Sequence, residues 1–361
     1  MTHKKKVCCI IPSLEAGGME RVMSELLTFF NRKNSLQIDL VLYGRNREIF
    51  YSIPEAIAIH KPEFHFDNRF RIFNTLKTIL YIRKTIGGLQ PESILSFGEY
   101  WNSFVLFALL GTHYPVYVSD RCSPEKKFGK LHSFLRKWLY PRAAGIIAQT
   151  EAACKIYTEE LGHKNIKVIG NPIKVYESLS FSQRRPIVLS VGRLINSKHF
   201  DRLVRIFSKI ATDDWRLVII GGNALKQDGM RKLQDLINQM GLKERVELTG
   251  SIKDVGHYYS SSRIFAFTSS SEGFPNAVGE AMAAGLPVVA YDCVAGPSEI
   301  IKDGVNGFLI PLFNDELYAI KLQTLMSEIG VWNSMSAEAQ KVADRFSIDS
   351  IGSEYLSFIL G

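Results

Sequence analysis

The chain is predicted to be an α/β protein of two doubly wound, parallel-sheet domains. Three features carry that prediction. Apolar runs of strand length alternate with amphipathic stretches of helix length, the alternation stops around residues 171–186 where prolines and serines gather, and it then restarts with a second full set. The length of 361 residues also exceeds what one core usually serves, about 250–300 residues.

In the first half KVCCIIP, LQIDLVLY, SILSFG, PVYVSD and GIIAQT read as strands. Residues 20–33 read as a helix with Val22, Leu26, Leu27 and Phe30 on one face. NPIKVYESLSFSQRRP (171–186) breaks the periodicity and reads as the linker, so the domains are placed at 1–172 and 173–361, with the last helix expected to pack back on the first domain. PIVLSVG, WRLVIIGG, RVELTG, RIFAFTSS, PVVAYD and GFLIP are the strands of the second half. Two such halves predict twin Rossmann-like domains facing a central cleft.

The formal charge of +8 is unevenly placed. Residues 1–175 carry 25 Lys and Arg against 15 Asp and Glu, a surplus of 10, whereas residues 176–361 carry 19 against 21. Two stretches of the first half, 67–86 and 126–142, mix cations with Phe, Leu, Ile or Trp at helical spacing. They fit either amphipathic helices with apolar faces in the core or attachment to an anionic membrane surface. No aromatic RNA-binding motif or zinc finger occurs, so no nucleic-acid partner is expected. Five cysteines without Cys-x-x-Cys or zinc-type spacing predict reduced thiols, packed as small apolar residues, in a cytoplasmic enzyme. No uncharged apolar stretch approaches the ~18 residues of a membrane span, so any membrane contact is expected to be peripheral, on the inner face of the plasma membrane.

Three stretches carry candidate chemistry. Gly17 and Gly18 follow the first strand and open the first helix, where glycine lets backbone amides approach an anion; a purely structural turn accounts for them equally well. In SVGRLINSKHF, Gly192 and Arg193 end a strand and Lys198 follows five residues later, so both cations could reach one diphosphate; solvated loop cations are the plainer reading. In SSSEGFPNAVGEAMAAGLPVVA, a strand, a loop, a short helix and another strand place Glu272 at the carboxyl end of a strand and Glu280 near the first helical turn. Asn276 is read as the cap of a helix beginning at Ala277, Gly285 as its end, and Pro287 as its stop.

Together, Gly-Gly-x-Glu-Arg after the first strand, VGRLxxxK, SSSEGFPNAVGEAMAAGLPVVA and IKDGVNGFLIP resemble the retaining glycosyltransferases of family 4 (glycosyl transferases group 1) over both halves, the second more strongly. Around SDRCSP (119–124) the chain is similar to bacterial members that extend lipid-linked oligosaccharides or capsule and O-antigen repeats. The resemblance implies the GT-B architecture and a nucleotide-sugar donor, expected to be UDP-linked. It implies Arg193 and Lys198 on the diphosphate, Glu280 on the ribose diol and Glu272 on the donor sugar. Gly273, Phe274, Asn276 and Ala277 would line the donor, and Gly250, Ser251 and Ile252 would frame the base.

The implied reaction is transfer of a hexose or N-acetylhexosamine, with retention, to a lipid-linked glycan on polyprenyl diphosphate. No Asp-x-Asp occurs, so no metal and no cofactor are expected. Many members carry a histidine at the end of a mid-domain strand. Here the corresponding stretch is YVSDRC, so Asp120 and Arg121 are the expected acceptor-side or donor-phosphate contacts, with Glu99 a further acceptor candidate. Asn306 and Gly307 read as a tight hairpin turn. Two other functions fit the same architecture: a nucleotide-sugar epimerase or hydrolase, and a non-catalytic nucleotide-binding protein.

Overall fold

A computed structural model describes residues 4–361 apart from 46, 211, 225 and 226. The chain divides into two compact units, residues 1–172 with 348–361, and residues 173–347. Each is built on its own parallel sheet.

In the first unit β1 (Lys5–Ile11), β2 (Leu36–Leu42), β3 (Ala58–His60), β4 (Ser93–Phe97), β5 (Val116–Ser119), β6 (Gly145–Ala148) and β7 (Ile166–Val168) lie in the order β3-β2-β1-β4-β5-β6-β7. Every side chain of β1 from Val7 to Ile11 is fully buried, as a strand covered on both faces requires. The short edge strands β3 and β7 are additions to the five expected, because three half-exposed residues carry no apolar run to read. His60 of β3 reaches the buried Asp39 of β2 at 2.7 Å and pins that edge. The helices are α1 (Gly18–Asn31), α2 (Arg71–Leu89), α3 (Glu99–Ala108), α4 (Lys130–Leu139) and α5 (Glu151–Leu161). Right-handed crossovers put α1 on one face and α2 to α5 on the other, where α2, α3 and α4 pack side by side.

Over its amino half, helix α2 is inverted relative to a core-packed amphipathic helix. Its buried residues are Asn74, Thr78, Ile82 and Ile86, while Ile72, Phe73, Leu76 and Leu80 are exposed, Ile72 by 81%. On α4, Leu131 and Phe134 are exposed too. The first of the two readings, apolar faces turned into the core, holds for the carboxyl half of α2, where Ile82 and Ile86 join the core, but not for its amino half, where Asn74 and Thr78 are buried with their hydrogen bonds satisfied locally. Asn74 donates to the Asp67 carbonyl and Thr78 to the Asn74 carbonyl. Among the described residues no helix is long and apolar enough to cross a membrane.

In the second unit β8 (Ile187–Val191), β9 (Arg216–Ile220), β10 (Val246–Gly250), β11 (Ile264–Phe267), β12 (Val288–Asp292) and β13 (Gly307–Pro311) take the order β10-β9-β8-β11-β12-β13. Between and after them run α6 (Phe200–Ile210), α7 (Gly229–Gln239), α8 (Gly256–Ser261), α9 (Asn276–Ala283), α10 (Asp315–Ser327), α11 (Ile329–Gln340) and α12 (Val342–Arg345). Helix α6 buries Phe200, Leu203, Val204 and Phe207 on one face. Both sheets reverse strand order beside their first strand, at β1/β4 and β8/β11, and such reversals open a ligand crevice at the carboxyl ends of the strands.

Arg184, in the stretch read as linker, is 2% exposed and anchors the second unit. Its guanidinium donates to the carbonyls of Leu179, Tyr259, Ser260, Ser262 and Ala284, and burial pushes its pKa down to about 10. The last helix, α13 (Ile348–Leu360), belongs to the first unit. There Gly352 lies against Phe29 of α1 with no room for a side chain.

Two local readings are corrected. Helix α9 starts at Asn276 with Pro275 in the cap position, so Asn276 is its first residue and Glu280 opens its second turn. Asn306 and Gly307 do not form a hairpin. Gly304 takes the left-handed conformation (φ 72°), the Asn306 side chain accepts from Lys302 N–H, and Gly307 begins β13, which pairs in parallel with β12. A parallel edge strand needs a turn that redirects the chain, not one that folds it back on itself.

Candidate active site

At the second switch point, the loops leaving β8 and β11 are stitched to each other. Ser270 N–H donates to the Ser197 carbonyl at 2.8 Å, Thr268 Oγ1 to the Lys198 carbonyl at 2.7 Å, and Ser269 Oγ to the Ser197 carbonyl at 3.2 Å. His199, held at φ 48°, meets Ser270 Oγ at 2.8 Å. The serine run before Glu272 is therefore the fastener between the two loops, a role that the sequence reading did not assign. Its signal was the run itself.

The consequence is an ion pair. Lys198 Nζ lies 2.6 Å from Glu272 Oε1, with the side chains 16% and 14% exposed. The lysine stem runs along Gly192, where an added Cβ would lie 3.2 Å from Lys198 Cε, and its ammonium sits 5.0 Å from the centre of the Phe267 ring. Cys293, just past β12, is close enough that Glu272's charge adds to burial in pushing its thiol up to about 12. Beyond Glu272 the chain enters α9, and among the described residues the N–H groups of Gly273, Phe274 and Ala277 have no acceptor. Such free amides at a helix amino end attract anions. Phe274 itself is buried against Phe346, so it offers only backbone.

Arg193 is exposed just past β8 and makes no ion pair among the described residues. Glu280 accepts from the Tyr259 hydroxyl at 3.2 Å, and the Tyr259 ring is fully buried and stacked on Tyr176. Tyr259 thus positions Glu280, a part the sequence reading missed because nothing local links residues 21 apart. Gly250 takes φ 72° at a register shift between β10 and β9, Ser251 is exposed and Ile252 half-buried beyond it. A concavity of about 800 Å³ nearby is lined by Leu194, Asn196, His199, Asp201, Asp228 and Lys232, and by none of Arg193, Lys198, Glu272 or Glu280.

The first unit holds the other candidates. Asp120 is 3% exposed and both its oxygens are engaged: Arg136 Nη2 at 2.6 Å, the Tyr140 hydroxyl at 2.6 Å and Asn102 Nδ2 at 3.1 Å. It is a buried anion held by three donors of its own fold. Arg121 is half-buried, donating to Asn171 at 2.5 Å and to the Tyr355 hydroxyl of α13 at 2.9 Å, with its guanidinium 3.6 Å from the Phe97 ring centre. Burial lowers its pKa.

Glu99 opens α3 at the β1/β4 switch point, 8% exposed, with Lys126 Nζ at 3.1 Å. Burial pushes its carboxyl up, but the Cys122 thiol, its own backbone amide and Lys126 outweigh that and hold it below the ordinary range. The Gly17 amide is also taken, donating to the Tyr51 hydroxyl at 3.2 Å, while the Glu20 carboxylate fills the space beside Gly17, and Gly18 simply begins α1.

Two parallel-sheet, Rossmann-like units, each reversing strand order beside its first strand, make the fold that of the GT-B glycosyltransferases. Family models place the chain more closely: glycosyl transferases group 1 over residues 175–342 and glycosyltransferase family 4 over residues 16–176. The chain belongs to these glycosyltransferases. It is similar to the amylovoran biosynthesis glycosyltransferase AmsD of Erwinia amylovora, 29% identical over 86% of this chain and 87% of that one. It is 27% identical, over 99% of its length and all of the relative's, to the N-acetylgalactosamine-N,N'-diacetylbacillosaminyl-diphospho-undecaprenol 4-alpha-N-acetylgalactosaminyltransferase of Campylobacter jejuni. The crystal structure of Anabaena HepE in complex with UDP-glucose matches with a TM-score of 0.77 over 98% of this chain and 99% of that one, at 21% identity, which speaks to the fold.

Proposed function

We propose that the chain transfers a hexose or N-acetylhexosamine from a UDP-sugar to a glycan carried on polyprenyl diphosphate, with retention at the anomeric carbon and without a metal ion. One observation carries the reading: Lys198 and Glu272 pair at the β8/β11 switch point, and the chain runs on from Glu272 through the acceptor-free amides of Gly273, Phe274 and Ala277 into α9. In this reading Arg193, Lys198 and those amides neutralise the diphosphate as the bond from the anomeric carbon to phosphate oxygen breaks. Glu272 holds sugar hydroxyls, and Glu280, steadied by Tyr259, accepts from the ribose diol. The acceptor hydroxyl attacks from the face the diphosphate leaves, and its proton passes to the departing phosphate.

The diphospho-undecaprenol in the Campylobacter relative's name supports the acceptor class, and the UDP-glucose bound to HepE supports the donor class. Exposed Ile72, Phe73, Leu76 and Leu80 on α2, with Arg71, Lys77 and Lys84 on the same helix, support peripheral attachment to an anionic bilayer where such an acceptor resides. The test is incubation with a panel of UDP-sugars, with and without polyprenyl-diphosphate glycan. The expected result is a glycan one sugar heavier with the anomeric configuration of the donor. Consumption of donor at the same rate without acceptor would instead establish an epimerase or hydrolase.

A further inference from the structure

The site contains its own counter-ion, which bears on the ligands it can hold. We propose that the Lys198–Glu272 pair makes donor binding conditional on both halves of the donor, so that the site distinguishes a nucleotide sugar from the free nucleoside diphosphate. The proposal rests on the donor-site reading above. A diphosphate that draws Lys198 away leaves Glu272 ionised at 14% exposure with its closest cation gone. A buried or half-buried carboxylate stripped of its partner is unfavourable, so the free diphosphate binds against that penalty. A sugar nucleotide avoids it, because sugar hydroxyls donate to Glu272 while phosphate oxygens take Lys198.

The loops cannot relieve the penalty by moving apart. Ser197, Lys198 and His199 are tied to Thr268, Ser269 and Ser270 by hydrogen bonds of 2.7 to 3.2 Å, so the exchange falls to the two side chains. The lysine is suited to it: its stem runs past Gly192, which has no side chain to block it, and its ammonium, a mobile point charge, sits 5.0 Å from the Phe267 ring centre. The same device serves release. Once the sugar has left on the acceptor, Glu272 loses its hydroxyl donors and recaptures Lys198, which loosens the diphosphate product.

The test is titration calorimetry of the full chain with UDP, GDP and ADP and with the matching sugar nucleotide, for the wild type and Glu272→Gln. The glutamine keeps the shape and removes the charge, which frees Lys198. The diphosphate that binds should bind the variant about fivefold more tightly, since the competing pair no longer reduces the competent fraction. The advantage of the sugar nucleotide over the diphosphate should shrink. Adding Lys198→Met to the variant should abolish the gain. Unligated melting temperatures check folding, and Glu272→Ala repeats the measurement should the glutamine variant be unstable. Diphosphate affinity unchanged or weakened in Glu272→Gln would overturn the coupling alone. A wild type that binds none of the three diphosphates would overturn the donor-site reading beneath it.

Discussion

Replacing Asp120 with asparagine separates a structural from a catalytic role for the mid-domain strand end. The Arg136–Asp120 contact is 2.6 Å long, with side chains 6% and 2% exposed, and Tyr140 and Asn102 donate to the same carboxylate. Burial alone would lower the Arg136 pKa; Asp120, with Tyr140 and Tyr157, raises it above its ordinary value instead. Removing one partner of such a pair leaves a buried charge and costs about 3–5 kcal/mol. Arg136 keeps a weaker partner in Glu160 at 3.7 Å, half-exposed, and the faces of Tyr140 and Tyr157 at 4.8 Å, so the lower end, about 3 kcal/mol, applies. That is a large part of the ~5–15 kcal/mol stability of a domain and should lower the first unit's melting temperature by about 6–12 °C. Urea unfolding at unchanged slope and calorimetry read the loss directly. Asp120→Leu with Arg136→Met should recover about half of it or more, since no charge then remains buried. A stable Asp120→Asn protein with kcat/KM reduced a hundredfold would refute this reasoning and return Asp120 to the reaction.

Glu99→Gln should lower stability at pH 7, and the difference should vanish in acid. The folded carboxyl titrates below its ordinary value, so its contribution is present above about pH 4.3 and is lost as pH falls through the folded pKa; urea midpoints from pH 3 to 8 trace it. Gly352→Ala should cost about 1–3 kcal/mol, because the added Cβ would lie 2.6 and 2.7 Å from Phe29 Cε1 and Cγ, atoms of a buried ring with no room to retreat; an unchanged melting temperature would mean that α13 does not dock as described. Ile72→Ser with Leu76→Ser should leave the melting temperature within about 1 °C, since both are exposed, yet reduce flotation with anionic vesicles at least tenfold; undiminished flotation would remove α2 from the membrane reading. Arg193→Ala should lose most of the thermal stabilisation that a nucleoside diphosphate confers on the wild type, and equal shifts in both would take Arg193 out of the site.

What could be read along the chain was what the chain encodes locally. All six strands of the second sheet, the core face of α6 and the loops bearing Lys198 and Glu272 follow from apolar periodicity and from glycine, serine and proline placement, which act within a few residues. The five long strands of the first sheet follow for the same reason, while the three-residue edges β3 and β7 offer too little pattern. Asp120 illustrates the limit. A carboxylate at a strand end reads as a ligand contact, and nothing local shows that Arg136 and Tyr140, 16 and 20 residues on, reach it as well.

The sequence by itself determined the two parallel-sheet halves, the basic bias of the first, and the family motifs of the second. Only the tertiary structure decided that α2 turns its apolar ridge to solvent, that Arg184 anchors five carbonyls, and that Lys198 and Glu272 face each other at 2.6 Å. The physical reason is range. Hydrophobic periodicity and turn chemistry are properties of adjacent residues, whereas the pairing of a charge depends on which distant segment the fold brings within 3 Å of it.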